Sequence, residues 1–298
     1  MFWIIQSAIS QGILWGIMAL GVYITFRVLN FADLTVDGSF ALGGALSAVL
    51  VYHGVPPLLA VLAATIGGLA AGFCTGFLNT KLRIPGLLAS ILTQIALYSI
   101  NLRIMGSPNL SLLRIDTLFT KLAAAGFPDR WVTMALAIVC SLIVILLMYW
   151  LFGTEIGSAI RATGNNPKMI RALGVHTDTT TILGLVFGNG LVALSGGLIA
   201  QQQGYGDIGM GTGAIVIGLA AIIIGEVLFP QTNFMLRLTG VIVGAVVYRI
   251  VIALVLKMGL RSTDMKLFTA ILVALALYLP TLRGHARQFQ LRRRNGHA

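Results

Sequence analysis

The sequence predicts an all-α polytopic membrane protein with about nine transmembrane helices. Of its 298 residues, 57% are hydrophobic and only 10% are charged, and the mean hydropathy is +0.94. These values exceed what a soluble domain needs to fill one core. Apolar runs of about 20 residues, which suffice to cross a hydrocarbon layer of roughly 30 Å, recur along the chain. No stretch is long or polar enough for a separate soluble domain, so residues 1–298 are predicted to form a single transmembrane domain.

The first apolar run, 3–26, lacks both a basic leading region and a small-residue cleavage site. It is therefore predicted to be a retained helix and not a signal peptide. Glycines four residues apart, such as Gly68, Gly72 and Gly76, predict close helix packing within the chain, with one such stripe available for a dimer. The further predicted spans are 38–53, 57–79, 86–106, 131–152, 181–202, 213–229, 236–256 and 267–281.

An odd number of spans places the two ends of the chain on opposite sides of the membrane. Basic residues are more numerous on the side that holds the tail 282–298. This bias predicts a basic cytoplasmic tail and an N-terminus outside. The tail could instead bind anionic lipid. The net charge of +11 is scattered over the ends of apolar runs without interleaved aromatic residues, so no nucleic acid partner is expected.

Motifs for catalysis and for cofactor or metal binding are missing from the sequence. It contains no G-x-x-x-x-G-K-[ST], so a nucleotide cannot be held by a P-loop and any ATPase must be a separate subunit. Its four histidines are isolated, and Cys74 and Cys140 lie inside apolar runs. We therefore expect neither an enzyme nor a bound cofactor or metal.

The polar stretch 153–180 predicts a helix, a turn and a second helix at the membrane surface. An amphipathic segment opens after Thr154, Gly164 to Pro167 break it, and Met169 to Leu173 resume it before Gly174. An ordinary surface hairpin is the alternative interpretation. The candidate residues of this segment are Glu155, Gly157, Arg161, Gly164, Asn165, Asn166, Pro167 and Gly174.

This segment resembles the cytoplasmic coupling loop of ABC importer permeases of the branched-chain amino acid type. The resemblance implies that 153–180 docks on separate ABC ATPase subunits and transmits their ATP-driven closure to the membrane helices. It also implies an extracytoplasmic solute-binding protein, a second permease copy in a homodimer, and the lipid bilayer of the bacterial inner membrane. The residues that carry it are Gly157, Ala159, Arg161, Ala162, Gly164, Asn166, Ala172 and Gly174.

The segment 27–40, RVLNFADLTVDGSF, resembles the Asn-Phe-Ala turn of the same family. Asp33 and Leu34 stand where that family commonly has His-Gly, which is closer to a subgroup associated with aromatic amino acid uptake. Asp33 and Asp37 are four residues apart and are predicted to share one helical face. A solvated inner loop is the alternative. The segment 213–229 resembles the seventh-helix region of the family, from which Glu226 departs.

A short pattern of aromatic, small, Asp, aliphatic, small and aliphatic residues occurs twice, at 31–36 and at 205–210. The predicted topology places the two copies on opposite sides, as in an inverted-topology repeat. Coincidence is the alternative, since only six positions match loosely. The candidate pathway or gating residues are Asn30, Asp33, Asp37, Asp207, Glu226 and Arg249.

Together these features predict the permease subunit of an ATP-driven importer for a small solute, with an amino acid or a related compound as the best match. The alternative is an ion-coupled secondary transporter, which needs ionisable groups within its spans. Only Arg249 and Glu226 qualify, and Glu226 is the nearest candidate partner of Arg249 in sequence. Since an unpaired guanidinium is costly in hydrocarbon, Arg249 is expected to face protein or water.

Overall fold

The structure is a computed structural model that describes residues 2–124, 129–230, 233–257, 267–271, 273, 274 and 278. Within these residues eight helices are long and apolar enough to cross a membrane, so the predicted all-α polytopic membrane fold is confirmed. The ninth predicted span, 267–281, lies partly outside the described residues, and the basic tail 282–298 lies wholly outside them. The long helices are α1 (Phe2–Val22), α2 (Thr35–Tyr52), α3 (Pro57–Thr80), α4 (Gly86–Met105), α6 (Asp129–Gly153), α9 (Thr177–Gln203), α10 (Ala214–Leu228) and α11 (Phe234–Lys257).

The remaining elements are short and lie between the long helices. A π-helical turn, Tyr23–Val28, extends α1, and a 3-10 turn, Ile208–Gly211, precedes α10. The others are β1 (Asn109–Ser111), α5 (Leu118–Ala124), α7 (Glu155–Asn165), α8 (Pro167–Ala172) and β2 (Tyr205–Asp207).

Helix α9 lies at the centre of the bundle, between α2, α3 and α1. The bond from Ser39 to Asn189 and the one from Gln201 to Ser47 show that α2 and α9 run in the same direction. Helix α3 runs the opposite way, since Gly68 faces Asn189 while Gly76 faces Ile182. Because glycine lacks a Cβ, the backbones of α3 and α9 approach closely.

The glycine stripes pack within the chain, as predicted. Gly12 and Gly16 of α1 contact Val246 and Ile242 of α11, and the stripe of α3 is covered by α9. Gly188 faces Thr25 of the π-helical turn. The expectation that one of these stripes is left for a dimer is therefore wrong, because each already has an intrachain partner.

Strands β1 and β2 pair antiparallel and join the loops that follow α4 and α9. Asn109 lies opposite Asp207 in this register, which puts both loops at the same end of the bundle. The segment after β2 then turns inward along α2, since Gly206 lies beside Ala48 and Gly211 beside Asp37. At 1.5 Å per residue of α2, the segment descends by about 16 Å before α10 begins. Helix α10 thus starts deep within the bundle.

Candidate functional site

Within the segment 153–180, residues 154–174 form two short helices that we call the α7–α8 hairpin. The Thr154 side chain caps α7 by accepting a bond from the Gly157 N–H at 3.3 Å. Asn166 caps α8 in the same way, with 3.1 Å to the Met169 N–H, and Pro167 occupies the first turn, where its missing N–H is tolerated. Gly164 and Asn165 lie inside α7, so the prediction that the break starts at Gly164 is wrong.

One face of the hairpin is fixed to the membrane helices. Arg161 donates to the Phe152 carbonyl at 2.8 Å and lies over the Phe234 ring, 5.5 Å from its centroid. Ile160 is fully buried. The hydroxyls of Thr163 and Thr180 are 2.8 Å apart and join α7 to α9. These contacts join α7 to α6, α9 and α11.

Gly164 brings α7 against the end of the first span. A Cβ there would collide with the carbonyl oxygen of Val28 and would lie 2.8 Å from the Leu29 Cα. Both are backbone atoms, which cannot move aside by changing rotamer. Glycine is thus required at position 164 because the two backbones lie too close for a Cβ, and not because of a turn conformation. The contact links the hairpin to the connection that carries Asp33.

The opposite face of the hairpin exposes large apolar side chains. Ile156, Met169 and Leu173 are 51%, 54% and 69% exposed. They lie outside the predicted spans, where a cluster of apolar residues on a polar hairpin is typical of a protein interaction surface. Gly174, with φ +84°, ends the hairpin in the left-handed region that favours glycine.

Asp33 is buried in the middle of the bundle, with only 1% of its surface exposed. Its Oδ1 accepts the Thr35 N–H at 3.0 Å, and its Oδ2 accepts from the Asn189 amide at 2.7 Å. The Asn189 Oδ1 in turn accepts from Ser39. Among the described residues no cation pairs with Asp33. It is therefore held by a polar network and does not lie in a solvated loop.

Asp37 points in another direction and caps α10. Its two carboxylate oxygens accept from the N–H groups of Gly213 and Ile215, each at 3.0 Å. A carboxylate is stabilised there by the positive end of the helix dipole. The prediction that Asp33 and Asp37 share a helical face is wrong, because α2 begins only at Thr35.

Asp207, at the end of the bundle where β1 and β2 pair, repeats the local geometry of Asp33. Its Oδ1 accepts from the N–H of Gly209, two residues further on, at 2.6 Å, as that of Asp33 does from Thr35. Its Oδ2 accepts from the Asn109 amide at 3.3 Å. Three residues before each Asp, the backbone adopts positive φ, 53° at Asn30 and 76° at Gly204.

The two remaining candidates do not pair with each other. Glu226 binds Arg27, with 2.7 Å between Oε1 and Nε, which joins α10 to the end of the first span. Glu226, the nearest candidate partner of Arg249 in sequence, is thus bound to Arg27 instead. The Arg249 guanidinium carbon lies 4.3 Å from the Trp15 ring centroid, so Arg249 packs against α1. In the described part of the chain, its buried Nε has no hydrogen-bond partner.

Two polar residues inside the bundle escaped the sequence analysis, Asn189 and Asn101. Both lie in apolar runs, and a polar amide within a span was the available signal. Asn189 joins Asp33 to Ser39, while Asn101 borders a cavity described below. No group of three His, Cys, Asp or Glu side chains that could hold a metal occurs within the described residues.

Comparison with known proteins gives consistent matches over almost the whole chain. Residues 4–278 match the family described as "Branched-chain amino acid transport system / permease component". A tyrosine transport system permease protein of Clostridioides difficile is 40% identical over 269 residues, which cover 90% of this chain and 88% of that protein.

Two solved structures share the fold. PsaBC from Streptococcus pneumoniae, in complex with Fab, has a TM-score of 0.51 at 15% identity and covers 91% of this chain and 90% of its own. An inward-facing ABC transporter assigned to the metal-chelate type has a TM-score of 0.50 at 14% identity, covering 94% and 85%.

Proposed function

The chain belongs to the family of branched-chain amino acid transport system permease components, and we propose that it is the membrane subunit of an ATP-driven importer for an amino acid. The two-faced α7–α8 hairpin carries this proposal. One face is fixed to α6, α9, α11 and the end of the first span, while the other exposes Ile156, Met169 and Leu173. Such a hairpin can transmit the movement of a bound subunit to the membrane helices.

A separate ATPase is the partner that this apolar face fits, since the sequence has no P-loop of its own. Closure of the ATPase would push the hairpin against Val28 and Leu29. This movement would then displace Asp33, which lies four residues after Leu29. The hydrogen bond between Asp33 and Asn189 would pass it on to α9. Arg161 and Gly164 are in this proposal the contacts that pass the movement on.

The solute is proposed to be an aromatic amino acid, handed over by an extracytoplasmic binding protein. The support is the likeness to a tyrosine transport permease and the Asp33-Leu34 pair of the sequence. A second copy of the chain would complete the path. We further propose that the N-terminus lies outside and the C-terminus in the cytoplasm, in the bacterial inner membrane. This orientation puts the α7–α8 hairpin on the ATPase side.

The paired geometry of Asp33 and Asp207 supports an inverted-topology repeat in which both segments act as gates. Each Asp lies three residues after a residue in the left-handed region. Each accepts a hydrogen bond from the backbone N–H two residues further on, and another from an Asn side-chain amide. Irregular backbone at membrane depth is tolerated where it is buried in protein or lines a water-filled cavity. In the proposed topology Asp33 lies on the inner side of the path and Asp207 on the outer side.

Docking of the ATPase can be tested by co-purification of the tagged full-length chain from its native membrane. ATPase activity should co-purify with the wild type, and Leu173→Asp should remove it, because a charge would then face an apolar interface. Leu113→Asp is the matched control, since Leu113 is also exposed but lies in the loop after β1. Equal ATPase activity in the two variants would contradict the proposal.

A further inference from the structure

A cavity of about 410 Å³ lies between α2, α4 and the segment that leads into α10. Helix α4 is the least buried of the described spans, yet polar side chains project from it into this cavity. Polar side chains are unfavourable on a helix face that contacts lipid, but they are typical of a helix that lines a transport path. The polar residues of the lining are Asp37, Gln94, Tyr98, Ser99, Asn101 and Thr212.

Asn101 lines this cavity and carries a hydrogen-bond acceptor that is left unused at the cavity wall. The residue is only 1% exposed, and its Nδ2 donates to the Gly38 carbonyl at 3.4 Å. A carbonyl can accept only from the amide nitrogen, so this bond fixes which way the amide points. The Oδ1 is then buried without a hydrogen-bond partner in the described part of the chain. Because buried polar atoms are nearly always paired, a missing donor is indicated.

Asp37 adds a fixed negative charge to the same cavity. The N–H groups of Gly213 and Ile215 hold its two oxygens, and each oxygen keeps lone pairs for a further donor. No arginine or lysine lines the cavity. A carboxylate near an unused amide oxygen favours a group that offers several N–H donors and a positive charge.

The rest of the lining is apolar and, together with the ring of Tyr98, suits a flat side chain. Tyr98 and Ile95 are exposed on the α4 side, and Ala41 and Ile208 close the opposite wall. We propose that this cavity is a solute-contact site that binds the ammonium end of an amino acid at Asn101 and Asp37, with its side chain against Tyr98. The choice of solute rests on the proposed function, but the ammonium preference rests on the cavity alone.

The test measures protection of a cysteine at Ser99 in the full-length chain, purified in detergent. Cys74 and Cys140 are first replaced by alanine, and Ser99→Cys is labelled with N-ethylmaleimide. The probes are L-tyrosine, tyramine and the des-amino analogue of tyrosine. At about twice its dissociation constant, a bound probe should slow labelling about threefold. Ile100→Cys is the control, because Ile100 is exposed on α4 and does not line the cavity.

We expect tyrosine and tyramine to protect position 99, the des-amino analogue to leave it unprotected, and position 100 to be unaffected. Asn101→Leu should abolish the protection, while Asn101→Asp should keep it. Equal protection by the des-amino analogue would overturn the ammonium preference, and this holds even if Asn101→Leu does not fold. No protection by any probe, in a protein that still supports ATP-driven uptake, would overturn the site and leave the proposed function standing.

Discussion

Adding a single methyl group at Gly164 should uncouple ATP hydrolysis from uptake. In Gly164→Ala the new Cβ would lie 2.8 Å from the Leu29 Cα, where ordinary contact begins at 3.4 Å, so α7 must retreat by about 0.6 Å or more. The collision with the Val28 carbonyl oxygen adds to this. Overpacking of this kind costs about 1–3 kcal/mol. If that cost falls on the conformation that transmits the movement, uptake decreases roughly 5- to 150-fold.

The assay is the ratio of solute taken up to ATP hydrolysed in the reconstituted complex. Gly153→Ala is the matched control, since Gly153 lies just before the α7–α8 hairpin and a Cβ there meets nothing within 4 Å. Both variants should insert into the membrane normally, because Gly164 lies outside the spans and Gly153 is the last residue of α6. A ratio in Gly164→Ala equal to that of Gly153→Ala would refute transmission through this contact.

Three further outcomes follow from the contacts described above. Asn189→Leu should lower the thermal midpoint by leaving the buried Asp33 carboxyl without its amide donor, at a cost of about 1–3 kcal/mol; a midpoint equal to that of wild type in a thermal-unfolding scan would contradict this. Arg27→Gln should cost only about 1 kcal/mol or less in the same scan, because its partner Glu226 and Arg27 itself are substantially exposed, so a larger loss would contradict the exposed geometry. A cysteine placed at position 249 should resist a lipid-soluble thiol label, whereas a cysteine at position 243 of α11, where Val243 is exposed, should be modified. Equal labelling of the two cysteines would show that Arg249 faces lipid.

The sequence predicts the spans well because apolar length and the absence of charge are local properties. The second span illustrates this, since it was predicted at 38–53 and runs from Thr35 to Tyr52. Long-range pairing could not be predicted in the same way. Glu226 binds Arg27, which is 199 residues away, and Asp37 caps α10. Neither partner can be chosen until the helices are arranged in space.

Glycine at position 164 shows the same limit. Its neighbours in sequence suggested a turn, because Asn165, Asn166 and Pro167 follow it directly. In the structure Gly164 is helical, and because it lacks a Cβ the backbone of α7 can lie against Val28. The buried amide of Asn189 was overlooked for a related reason. In an apolar run a single polar residue indicates a function only once its partner is known.

Solute uptake into proteoliposomes tests the central claim most directly. Vesicles would hold the chain together with the ATPase that co-purifies with it, a binding protein would be added outside, and radiolabelled L-tyrosine would serve as the probe. We predict uptake that needs ATP inside the vesicles and both partners, and that continues when a protonophore collapses the proton gradient. Uptake by the chain alone, driven by an ion gradient without ATP, would contradict the account.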